Sequence, residues 1–143
     1  MPATLLVHEE DPSDAIWELA GDLTEIEVFN NKVLVGVYQR PEEAKTIGGI
    51  ILTDITTRED KYQSKVGMIL KTGNRAFTDL NEPQRWFINQ DMYEGDWVAF
   101  RPSDGMSHTL VSRDKKGQKQ ELLCRLLDDT SIVMRANSPD RIY

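Results

Sequence analysis

The chain has 143 residues, 39% of them apolar and 29% charged, with a formal net charge of −7. That is enough chain for one domain with a real core, and the negative balance excludes a nucleic-acid surface, which needs clustered Lys and Arg. The single Cys124 excludes an intrachain disulfide, and no apolar run approaches the roughly 18 residues of a membrane span.

The N-terminus, Met1-Pro2-Ala3-Thr4-Leu5-Leu6-Val7, lacks the basic start and long apolar core of a signal peptide. A cytoplasmic location is therefore expected. Asp11-Pro12-Ser13-Asp14 then combines an N-cap carboxylate, a proline at the first helical position and an acid at the third. Ile16, Trp17, Leu19 and Ala20 give one apolar face, and Gly21 is a natural stop. These signals predict a helix of about two to three turns, too short to be stable unless it docks on something.

From Val33 the pattern becomes β. Lys32 to Tyr38 is rich in β-branched residues, with valine at alternate positions. A long polar stretch follows, and inside it stands Gly48-Gly49-Ile50-Ile51-Leu52-Thr53. Its flanks carry a proline, many charges and little alternation, the composition of a loop. The apolar triplet is either a short buried strand or an apolar hook on an arm. Ser64 to Thr72 reads as the next strand, and residues 74–94 are irregular. Glu94-Gly95-Asp96 turns into the strand Trp97 to Phe100. Thr109 to Ser112 and Glu121 to Leu127 read as hairpin arms, and Asp128-Asp129-Thr130 turns into a last strand, Ser131 to Met134. Short strands at close spacing predict a small all-β barrel or sandwich, with the helix as an appendage.

Taken together, these pieces resemble the co-chaperonin family of the GroES type over about residues 32–134. The resemblance is carried by the valine-rich strand Lys32 to Tyr38, by Gly48-Gly49-Ile50-Ile51-Leu52-Thr53 on its charged loop, and by Gly67-Met68-Ile69-Leu70 with Gly73. Gly95-Asp96-Trp97-Val98-Ala99-Phe100, the turn Asp104-Gly105, and the closing run Leu122 to Met134 complete it. It implies an all-β fold, a small partly open GroES-like β-barrel with a long mobile loop, plus a short N-terminal helical extension. The division would be residues 1–30 as extension, 31–134 as barrel and 135–143 as tail. It also implies a homo-oligomer, a ring of seven subunits, that caps a chaperonin without enzymatic activity or cofactor. Partner binding would fall to Gly48, Gly49, Ile50, Ile51, Leu52 and Thr53. The strands Lys32 to Tyr38 and Ser131 to Met134 would pair between neighbours, with Val33, Val35, Val37, Ile132 and Val133 at the interface.

The chain departs from the compact form of that family. It adds about 30 residues before the first strand and a tail after the last, and Trp86-Phe87-Ile88 is more apolar than a solvent-facing roof needs. These additions raise an alternative: a phage virion protein, a capsid decoration or cement protein on the same kind of barrel, with capsid protein as its partner. A phage source under either reading places the protein in the host cytoplasm or the virion.

Other chemistry finds little support. His8-Glu9-Glu10-Asp11 has no second histidine at helical spacing and reads as a solvated acidic run, not a metal site. His108 beside Ser107 lacks a nucleophile elbow, and Gly48-Gly49 lacks the Lys-Ser/Thr of a phosphate loop. Cys124, in an alternating strand, reads as a buried small apolar residue. The basic run Arg113 to Lys119, interrupted by Asp114 and Gly117, reads as a hairpin turn.

Overall fold

The computed structural model describes residues 10–39, 65–77 and 92–141, and the backbone of residues 46–47 and 50–51. Helix α1 spans Pro12–Ala20. Eight strands follow: β1 (Lys32–Val37), β2 (Thr46–Ile47), β3 (Ile50–Ile51), β4 (Val66–Thr72), β5 (Trp97–Phe100), β6 (Met106–Arg113), β7 (Lys119–Asp128) and β8 (Ile132–Ala136). Six of them form one open sheet in the order β6-β7-β1-β4-β5-β8, and β2 with β3 forms a separate two-stranded sheet. Every pairing is antiparallel.

Helix α1 starts where its cap signals place it. The Asp11 carboxylate accepts from the backbone N–H groups of Ser13 (2.9 Å) and Asp14 (3.3 Å), satisfying two donors that have no partner within the helix. Gly21 ends the helix at φ +69°, and its N–H donates to the carbonyl of Trp17. The helix lies on one face of the sheet. Its Ile16 and Ala20 join Leu34, Met68, Leu70, Trp97, Leu122 and Cys124 in one apolar cluster. At the other end of the same face, Tyr38 and Trp97 meet edge to face, with ring centres 5.8 Å apart.

The second face carries its own cluster of Val33, Val35, Ile69, Val98, Phe100 and Leu127, with Phe77, Met92 and Ile132 packed against it. The middle strands thus bury residues on both faces. That explains why β1, β4 and β5 read as near-continuous apolar runs instead of a clean alternation.

Two local features fit the helix to the sheet. Gly36 sits in mid-strand, where a β-carbon would lie 2.8 Å from Cγ2 of Ile16. Its bare backbone is the notch that seats α1. A bulge between β1 and β4 sets Leu34 opposite Lys71 and Val35 opposite Ile69, with Leu70 as the extra residue. Lys71 then reaches the segment after the helix, where Nζ donates to the carbonyls of Leu23 (2.7 Å) and Ile26. The helix expected as an appendage therefore supplies buried residues to the core. Farther along, Ser138 and Pro139 of the tail are also buried.

Candidate partner-binding site

The connection between β1 and β4 is the unusual part of this topology. These strands are adjacent and antiparallel, with Val37 opposite Gly67. A hairpin of this kind closes with about 2–5 residues. Here residues 38–65 lie between them. The excursion leaves and returns at one place, and its base is closed by a hydrogen bond from Tyr38 N to the Val66 carbonyl at 3.0 Å. Tyr38 is itself buried against Trp97, which anchors the base in the core.

Within the excursion, β2 and β3 pair with Thr46 opposite Ile51 and Ile47 opposite Ile50. Ile50 and Ile51 thus belong to a strand, but to a two-residue strand outside the main sheet. The sequence between the two strands is Gly48-Gly49, a composition favoured in two-residue hairpin connections. Gly48, Gly49, Leu52 and Thr53 lie outside the described residues.

The five residues expected at a subunit interface divide in two. Val33, Val35 and Val37 are fully buried, and β1 is paired on both sides, to β4 and to β7. Its backbone groups and its valines are used inside the chain. Ile132 and Val133 sit on β8, which pairs only with β5 among the described residues. Ile132 packs on the second cluster, while Val133 is 62% exposed and Met134 49% exposed. Of the two strands expected to pair between subunits, β8 stands at a sheet edge and β1 in the middle.

Two polar nodes hold the ends of the sheet, and neither was read from the sequence. Asp129 is buried and accepts from Phe77 N (2.8 Å) and Asn31 Nδ2 (3.2 Å), while its neighbour Asp128 pairs with Lys32. The carboxylate holds Phe77 at φ 61°, a conformation rare for a bulky residue, where the chain leaves the β4 end. Arg125 is buried in β7 opposite Val35. Its guanidinium donates to Ser107 Oγ (2.7 Å) and to the carbonyls of Pro102 (2.9 Å) and Asp104, fixing the turn between β5 and β6. The only available sequence signal was a charged residue facing inward in an apolar strand.

Cys124 is fully buried in the cluster under α1, and burial pushes its thiol up to about 12. Among the described residues no group of three or more His, Cys, Asp or Glu gathers as a metal site would require. None of the described helices is long and apolar enough to cross a membrane. Comparison with known proteins finds no matching family, no matching curated protein and no matching solved structure.

Proposed function

We propose that the chain is a non-enzymatic co-chaperonin of GroES type. In this reading it is a ring-forming protein on a small β-barrel that caps a chaperonin through Ile50, Ile51 and Leu52 and assists protein folding. The observation that carries the proposal is the excursion of residues 38–65, anchored at Tyr38 and Val66 and carrying an isoleucine pair on a separate β-hairpin. An anchored base with an apolar tip suits a docking arm: the base fixes direction, and the tip supplies contact area.

The energetics fit a reversible lid. Burying each large aliphatic side chain contributes about 1.5–3 kcal/mol. Ordering the arm costs about 1–2 kcal/mol per residue fixed. One arm binds weakly, and several arms on one ring gain avidity without new contacts. In this reading Gly48 and Gly49 are the hinge that lets the arm turn, and Thr53 follows the triplet in sequence. Ring closure falls to the β8 edge, with Val133 beside it, because a strand with an open edge accepts a neighbour's backbone.

The test is Ile51→Asp. A carboxylate in a dry groove costs several kcal/mol, so the variant should lose chaperonin binding while keeping its fold and oligomeric mass. Binding that survives the change sinks the hook assignment. If wild-type protein ignores chaperonin but attaches to a capsid shell, and deletion of residues 1–30 abolishes attachment, the decoration-protein reading replaces this one.

A further inference from the structure

The charges of the chain are separated along it. Residues 10–31 contain seven carboxylates and no Lys or Arg. Glu10 stands just before α1, and the exposed acids Asp14 and Glu18 lie four residues apart on it, so like charges gather on its outward side. Asp11 and Asp14 are explained locally, since they favour the helix N-terminus. Glu18 stands in the last turn, where the helix dipole favours a cation and α1 itself carries none. Crowding shows at Glu10, whose carboxyl is raised by partial desolvation first, and then by Glu18 and Asp14. Lys71 reaches this region, where its Nζ donates to the carbonyls of Leu23 and Ile26.

The β6–β7 turn has the opposite character. Arg113, Lys115, Lys116 and Lys119 are all exposed there. Among the described residues, the acid beside them forms no ion pair. Asp114 turns inward and accepts from the backbone N–H groups of Lys116 (2.9 Å) and Gln118 (2.8 Å). Lys119 pairs with Glu121 at 3.1 Å, but both are well exposed and the pair is weak. Arg113 donates to the Gly117 carbonyl, which stiffens the turn and leaves its charge in place.

These two patches are fixed side by side. Ser112 Oγ donates to the Leu19 carbonyl at 3.0 Å, and Gln120 Nε2 donates to the Glu18 carbonyl at 2.8 Å. The basic turn therefore lies just beyond the C-terminal end of the acidic helix. Adjacent patches of opposite sign are self-complementary across a two-fold axis, where each copy offers its turn to the other copy's helix. From this juxtaposition we infer that the outward face of α1 is a docking surface for the β6–β7 turn of a second copy of this chain, in a reciprocal pair. The contact uses neither the β8 edge nor the residue 38–65 arm, so it stands independently of the co-chaperonin reading. In a ring-forming protein it joins one ring to another.

The experiment is a charge swap read by analytical ultracentrifugation of the full chain. Wild-type protein should associate at low salt and weaken about tenfold or more between 0.05 and 0.5 M NaCl, as screening shortens. K115E/K116E and E10K/E18K should each abolish that step. Mixing the two variants should restore it, because both reciprocal contacts are then attractive, and so should combining all four changes in one chain. These positions are exposed, and circular dichroism checks that each variant is folded. The inference is overturned if wild-type protein shows no salt-sensitive step, if either reversal leaves the step intact, or if the combined variant fails to recover it. A turn whose reversal instead abolishes binding to a polyanion such as heparin, with self-association unchanged, overturns it in favour of a polyanion site.

Discussion

Strands β1 and β6 are both β-prone, yet five of the six residues of β1 are buried and none of the eight in β6 is. The cause is position. β1 lies between β4 and β7, with α1 over one face and the Ile69–Phe100 cluster on the other. β6 has one strand neighbour among the described residues, and its Ser112 Oγ donates to the Leu19 carbonyl at the end of α1. Stability therefore comes from the middle of the sheet. The outer strands keep Met106, Val111 and Val133 at 60% exposure or more. The centre fills both of its faces, and the outer strands leave these apolar residues to solvent.

The sharpest way to break this comparison is to truncate one residue from each region. Ile69→Ala, at a fully buried site, should cost about 2–5 kcal/mol in urea unfolding. Val111→Ala on β6 should stay within about 0.5 kcal/mol. Equal losses would mean that β6 is packed as tightly as the centre. A smaller effect is expected at the helix seat. Gly36→Val should cost about 1–3 kcal/mol, because its side chain must displace Ile16. Adding Ile16→Ala should recover part of that loss, and purely additive losses would reject the notch.

The central cluster also has a pH signature. The folded Cys124 thiol is raised from 9.0 to about 12, so its contribution to stability is complete below about pH 9 and is lost as pH rises toward 12. Native protein should resist alkylation at pH 8 and react on unfolding, whereas rapid native alkylation would show that the cluster opens. The smallest stability change belongs to β8. Val133→Asp should shift unfolding by less than about 0.5 kcal/mol while lowering the oligomeric mass. An unchanged mass would remove β8 from the interface.

Much of the fold was legible because the relevant signals are local. Asp11-Pro12 and Gly21 bracket α1, and the runs around Val35, Ile69 and Val98 form strands where their β-branched residues place them. The arrangement of those strands was not legible. Pairing β1 with β7 joins residues 88 to 96 positions apart, and nothing in Val33-Leu34-Val35 says whether a strand is central or outer. That Ile16 would lie over Gly36 was not legible either. Asp128-Asp129 read as a turn and does turn, but its buried bonds to Phe77 and Asn31 depend on segments far along the chain. At the candidate site, the apolar pair Ile50-Ile51 and the length of its connection were visible from the start. The adjacency of β1 and β4, which makes that connection an excursion from a single anchored base, was not.

The most direct test of the central claim is native mass spectrometry of the purified protein, alone and then with a chaperonin and nucleotide. The account predicts a ring that joins the chaperonin only when nucleotide is present, and that fails to join when Ile51 is replaced by Asp. A monomer or trimer indifferent to chaperonin under both conditions would contradict it.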